Sequence, residues 1–211
     1  MSNKLIYGKM LREELTSCAL LAAEAFYDYE YFSIYVPDEK RRHRCLDAMI
    51  QSEFRANWNK AAVEFITAKE NDRIVAVAQL CAPDYQKPSD LEYIRTGWLS
   101  VMIKGGMKEV NAWNAMEKQA SALCHGLKAW YLSLLTVAKS YEGQSLGSRV
   151  LNEYLGPHVR ESGGKVLSLF TNSEQNCRFY EKNGFSLFDE KRFEYGGKSI
   201  GSWSYRRDVL N

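Results

Sequence analysis

The chain has 211 residues, a formal net charge of +2, 45 % hydrophobic residues and 26 % charged residues. That length suits one large domain with a sizeable core, and so small a net charge gives no electrostatic reason to expect nucleic acid or an anionic membrane as a partner. Five cysteines, none in a C-x-x-C pair, argue against a disulfide framework or a zinc knuckle; no metal is expected, and reduced thiols in a cytoplasmic protein are the default. No stretch reaches the length of a membrane-spanning helix, and the opening MSNKLIYGKM lacks the apolar run of a signal peptide.

Residues 5–10 have the pattern of a first strand. Residues 11–26 form an amphipathic helical pattern, with Leu15, Cys18, Ala19, Ala22 and Phe26 on the apolar side. Six aromatics follow in quick succession, Phe26, Tyr27, Tyr29, Tyr31, Phe32 and Tyr35, interleaved with Asp28 and Glu30. Pro37 then blocks helix continuation, and Asp38 is placed to cap a helix over 39–54. Aromatic faces and carboxylates together attract cations, so Tyr27, Tyr29 and Tyr31 are candidates for binding a protonated amine. Filling the core beneath a helix connection is the competing role for the same rings. The basic run at 40–44 suits a solvated helix face.

Residues 62–69 and 73–80 predict a hairpin across Glu70-Asn71-Asp72. Glu64 and Gln79 are polar groups on these strands that could reach an acceptor site; an exposed strand face would also explain them. Loop residues gather at 83–90, and 108–127 looks helical, so 83–127 is expected to be a helical insertion. His125, at its end, could serve as a general base, although a lone histidine before a strand is more often structural.

Residues 130–137 are rich in aromatic and branched side chains and predict a buried strand. A polar turn ending in Gly143 follows, and from Ser145 the period becomes helical, with Leu146, Val150, Leu151 and Leu155 on one face. A strand feeding the exposed start of a helix gathers unpaired N–H groups and partial positive charge, which suits phosphate. Beyond it, 165–170 predicts a strand, Thr171-Asn172-Ser173 a turn, and Ser173 opens a helix that runs to 182 or 183 and stops at Gly184. Residues 185–194 and 199–207 close the chain as a hairpin across Tyr195-Gly196-Gly197-Lys198.

Two of these segments resemble a known family. Residues 137–148, VAKSYEGQSLGS, are similar to the acetyl-CoA motif V-x-P-x-x-Q-G-x-G-x-G of the GNAT superfamily of N-acetyltransferases. Residues 176–185, NCRFYEKNGF, match that family's closing N-x-x-x-Y-x-K-x-G-F pattern at each defined position. The chain departs at Lys139, where proline is usual, at Glu142, where glutamine or arginine is usual, and at Ser145, where glycine is usual. The departures leave open a non-catalytic acyl-CoA-binding module, and the many aromatics leave open an interaction scaffold that binds no cofactor.

The resemblance implies a single α/β (α+β) domain over 1–211, a mixed, mostly antiparallel sheet of about seven strands flanked by helices. It implies acetyl transfer from acetyl-CoA to a primary amine of a small molecule or peptide in a ternary complex. It places the thioester and pantetheine arm along Leu135, Thr136 and Val137, and the pyrophosphate on Glu142, Gly143, Gln144, Ser145, Leu146, Gly147 and Ser148. Asn172, Asn176, Phe179 and Tyr180 join the cofactor side, with Tyr180 as the acid that protonates the departing thiolate. On the acceptor side Tyr27, Tyr29, Tyr31, Glu64, Tyr131 and Ser133 are the candidates, and the general base is left open among Glu64, Tyr131, Ser133 and His125. Ser145 fits the motif if its φ is negative, and Glu142 fits it if the carboxylate points away from the diphosphate or pairs with a base such as Lys139 or Arg149. The expected partner is the amine acceptor, with a homodimer left open and neither nucleic acid nor a membrane expected.

Overall fold

The structure, a computed structural model, describes residues 5–209; residues 1–4, on which part of the N-terminal expectation falls, and 210–211 lie outside it. Seven strands, β1 (Ile6–Lys9), β2 (Val63–Glu70), β3 (Arg73–Cys81), β4 (Trp130–Val137), β5 (Val166–Thr171), β6 (Ser186–Tyr195) and β7 (Lys198–Asp208), form one sheet in the order β1-β2-β3-β4-β5-β7-β6. Neighbours are antiparallel except β4 and β5, which are parallel. The β2–β3 hairpin turns on Asn71 and Asp72 with φ of 49° and 60°, the left-handed geometry that asparagine and aspartate tolerate and a two-residue hairpin loop demands.

Because successive side chains on a strand point to opposite faces, the sheet supports two cores. On one face Ala78, Leu80, Leu132, Leu167 and Leu169 pack against Leu146, Val150, Leu151, Leu155, Val159 and Tyr180. These come from α7 (Leu146–Arg149), a π-helical turn (Val150–Leu155), α8 (Gly156–Glu161) and α9 (Glu174–Lys182). In the π-turn the Gly156 N–H reaches back five residues to the Leu151 carbonyl, which also accepts from the Arg207 guanidinium at 3.2 Å. Pro157, next in line, has no N–H to pair.

On the other face Val77, Cys81, Tyr131 and Leu134 pack against Cys18, Ala22, Leu46, Met49, Phe54, Val101, Val110 and Cys124. These come from α1 (Leu15–Phe26), α3 (Glu39–Asn57), α5 (Trp98–Gly105) and α6 (Met107–Gly126). Asp38 caps α3 by accepting the Arg41 N–H at 2.7 Å. Between β3 and β4 lie α4 (Asp90–Thr96), α5 and α6. No described helix is long and apolar enough to cross a membrane.

The structure departs from the sequence expectation in the aromatic stretch, which contains a further helix, α2 (Glu30–Tyr35). Its Tyr31, Ile34 and Tyr35 lie on one side and join Met116, Ala120 and Ile200 in a third cluster. Three apolar residues spaced for a helix face outweigh a short loop once α6 is there to receive them.

Candidate active site

β4 and β5 are paired only at Trp130↔Leu167 and Tyr131↔Ser168. Beyond these rungs β4 runs on to Val137 and β5 to Thr171, so the two strands splay and the edge of β4 after Tyr131 has no strand partner on that side. The opposite edge carries a bulge. Gln79 faces Leu134 and Leu80 faces Leu132, so Ser133 is the extra residue. A bulge re-aims the strand and frees main-chain groups from the ladder, and Ser133 is the one exposed residue of this strand.

The splay ends at the turn before α7. Two of its amides are spent internally, Glu142 N–H on the Lys139 carbonyl and Gln144 N–H on Tyr141. The N–H groups of Gly143, Ser145, Leu146, Gly147 and Ser148 have no acceptor among the described residues. Of the seven amides over 142–148, where a pyrophosphate is expected, five thus lack an acceptor among the described residues. A Cβ on Gly147 would lie 3.1 Å from Cζ of Phe179, so glycine there lets the Phe179 ring of α9 close over the turn. Leu135 and Val137 are half-buried against the core beneath.

One expectation for this turn is corrected, and one of the two alternatives for Glu142 is removed. Ser145 has φ +60°, ψ 14°, not a negative φ; it occupies the left-handed region that glycine takes freely and L-residues enter at a cost of about 1–2 kcal/mol. Glu142 is not paired with either suggested base, since Lys139 bonds to Asp28 at 3.0 Å and Arg149 to Glu153 at 2.9 Å.

Tyr180 lies in α9 against Phe179, Phe185 and Tyr205. Its hydroxyl has no hydrogen-bond partner among the described residues, and burial, with Tyr29 nearby, raises its pKa above the ordinary tyrosine value. Ser173 caps α9 by accepting the Asn176 N–H at 3.4 Å. Asn172 gives its side-chain amide to the Gly201 carbonyl at 2.8 Å and its N–H to the Tyr29 hydroxyl at 3.1 Å.

The acceptor candidates separate. Tyr29 crosses from the α1–α2 connection to the end of β5, where its hydroxyl meets Thr171 Oγ1 at 3.1 Å beside Asn176 and Tyr180. Ser133 sits at the bulge, and Tyr131 is buried on the α3–α6 face with the His125 ring 4.6 Å away. The other candidates are engaged elsewhere. Tyr27 donates to Asp47 and stacks on His43 of α3. Tyr31 is buried between α2 and α6, its hydroxyl 3.7 Å from Met116 Sδ. Glu64 lies on the opposite face, bridging Lys9 at 3.0 Å and His158 at 3.2 Å. Burial lowers the pKa of His125, which favours its neutral form.

Sequence reasoning passed over Glu53. It projects from α3 under α4, accepting from Tyr93 Oη at 2.6 Å and Asn57 Nδ2 at 2.8 Å. The signal was an acid in the stripe of Leu46, Met49, Ile50, Glu53 and Asn57, at helical spacing on the buried side of α3. Elsewhere, a recess of about 240 Å³ under the π-turn is lined by Asn152 and Arg207. Its arginine is already engaged by Asn152, Asn183 and Leu151. No group of three or more His, Cys, Asp or Glu among the described residues could hold a metal.

A strand splay beside a turn of free amides is a place for a diphosphate and an extended arm. The family model for acetyltransferases of the GNAT family matches residues 23–185. The chain belongs to the GNAT acetyltransferase family. It is therefore an acyltransferase by family, with the fold of that family. Among similar solved structures is the PaiA N-acetyltransferase of Thermoplasma acidophilum in complex with coenzyme A. It is 13 % identical over 97 % of this chain and 99 % of that one, with a TM-score of 0.57. A histone acetyltransferase HPA2 and related acetyltransferase from Corynebacterium glutamicum is 15 % identical over 97 % and 96 %, with a TM-score of 0.59. A ribosomal-protein alanine N-acetyltransferase of Escherichia coli is 13 % identical over 98 % and 94 %, with a TM-score of 0.57. At these identities the likeness establishes the fold alone. No curated protein sequence matches the chain.

Proposed function

We propose that this GNAT chain transfers an acetyl group from acetyl-CoA to a primary amine by direct attack in a ternary complex. The observation that carries the reading is the parting of β4 from β5 after Tyr131 and Ser168, immediately before a turn with five free amides. Those amides suit a diphosphate, and Gly147 supplies a surface with no Cβ in the way. The thioester of acetyl-CoA supplies an activated acyl carbon when bound. The unpaired β4 edge at the bulge offers main-chain N–H groups to an oxygen that gains charge. Tyr180 holds its proton on Oη at neutral pH and is the donor to the leaving sulfur. Tyr29 and Ser133 face the amine from the acceptor side. The five cysteines are free thiols, which supports a reducing, cytoplasmic setting.

The test has two stages. Calorimetry with acetyl-CoA should show one site per chain, and release of free thiol should then appear with some member of a panel of primary amines. Binding without thiol release from any amine would make the chain a non-catalytic acyl-CoA module, as the unpaired Glu142 would favour. Absence of binding would remove the proposal.

A further inference from the structure

Strands β4 and β5 are parallel and part after Tyr131 and Ser168, so their free ends, at Val137 and Thr171, lie toward the same edge of the sheet. Two neighbouring residues of the α1–α2 connection reach one end each. Asp28 accepts from Lys139, two residues past the end of β4, at 3.0 Å. Tyr29 carries its hydroxyl to the end of β5, where it lies 3.1 Å from Thr171 Oγ1 and accepts the Asn172 N–H at 3.1 Å. Consecutive Cα atoms are only about 3.8 Å apart, so the connection crosses the opening from one strand end to the other. The opening is thereby framed by the two rungs at its base, by β4, by β5, and by residues 28–29 across its mouth.

The two ends of the crossing differ in strength. The Asp28–Lys139 pair is exposed, 74 % and 47 % at the two side chains, and exposed pairs of this kind hold little. Tyr29 is the firmer end. Burial raises its pKa, against the pull of Thr171, the Asn172 N–H and the Asn176 side chain around its oxygen, so the hydroxyl stays neutral among its partners. Tyr180, with its unpartnered hydroxyl, lies beside it. On the main chain Tyr29 begins α2, its carbonyl accepting the Phe32 N–H at 3.0 Å and the Ser33 N–H at 3.4 Å. A helix of six residues does not hold itself in water, so the place of its first turn depends on what anchors Tyr29.

We propose that Tyr29 is a positioning residue for the reaction: its hydroxyl bolts the α1–α2 connection across the parted ends of β4 and β5 and so sets where the amine meets the thioester. The proposal rests on the acetyl-transfer reading above and adds what holds the acceptor side to the cofactor side.

Tyr29→Phe tests it, because the variant keeps the ring and its edge contacts with Phe26 and Tyr31 while removing the hydroxyl. Amide exchange at Phe32 and Ser33 should quicken at least about five-fold. In thiol release, KM for the amine should rise about five-fold, the scale of one net hydrogen bond, while KM for acetyl-CoA changes less than about two-fold. Thr171→Val loosens the same bolt from the strand side, and the double variant should exchange no faster than Tyr29→Phe alone. Unchanged exchange at Phe32 and Ser33 in Tyr29→Phe overturns the proposal, whatever turnover does. So does quickened exchange with an unchanged amine KM, since the hydroxyl would then serve stability only. So do effects on exchange that multiply in the double variant, which would mean that the two hydroxyls act separately. Thiol release from the unaltered chain with no amine defeats the transfer reading instead, and the bolt is then judged on the exchange measurements alone.

Discussion

The two faces of β4 are built differently. Toward α7–α9 lies an apolar wall that ends in a turn of free amides, and its chemistry is main chain. Toward α1, α3 and α6 lies a side-chain surface, with Gln79 buried close to Glu53 and the His125 ring against Tyr131. The first face suits a ligand shared by a family, since backbone groups recognise a diphosphate with little dependence on side chains. The second is made of side chains and can differ from one family member to the next.

Removing a proton donor should have the largest effect. Tyr180→Phe is expected to lower turnover about 100-fold, within the range for loss of a general acid, with CoA affinity in calorimetry little changed. Burial raises the Tyr180 pKa, so this hydroxyl stays protonated up to and beyond the usual tyrosine pKa near 10. Turnover should therefore rise as the amine deprotonates, without an alkaline fall from Tyr180 below that pH. An equal turnover in the variant would remove Tyr180 from the chemistry. Gly147→Val comes next. Its side chain must displace Phe179 and intrude on the turn, and the expected loss is about ten-fold in CoA affinity; an unchanged dissociation constant would separate the turn from the diphosphate.

Smaller effects sharpen the same division. Ser145→Gly relieves a left-handed serine at some cost in unfolded-chain entropy, for a net gain of about 1 kcal/mol. Thermal melting should rise by about 2–4 °C, and a fall would mean that the serine side chain makes a compensating contact. Glu142→Gln removes an exposed carboxylate from the turn and should tighten CoA binding about two- to three-fold at low salt, an advantage that rising salt should erase.

What the sequence made legible follows the same line. Two contiguous stretches, 137–148 and 176–185, carried the resemblance, and the family they point to is the one whose model matches the chain. Strand β4 was read at its observed bounds, Trp130–Val137. The acceptor candidates lie far apart in the chain, and their surroundings are set by tertiary packing: Tyr29 meets Thr171 at the end of β5, and Tyr131 packs against His125. Gln79 was visible as a polar residue on a strand; the bulge at Ser133 instead decides the face of Leu134 and Thr136 on β4, and a bulge of one residue leaves no sequence period to read. Glu64 shows the converse, an acid on the next strand whose register turns it toward Lys9 and His158. Tyr27 and Tyr31 show that aromatic clustering does not reveal which rings a neighbouring helix will cover.

The sharpest test of the account is amide hydrogen exchange across residues 133–148 with and without acetyl-CoA. Free amides exchange fast, so Gly143 and Ser145 to Ser148 should be unprotected alone and slowed at least about ten-fold by saturating acetyl-CoA. Glu142 and Gln144, already bonded within the turn, should change less. Protection of those five amides before the cofactor is added, or no slowing after it, would contradict the claim that this turn grips the diphosphate beside the parted strands.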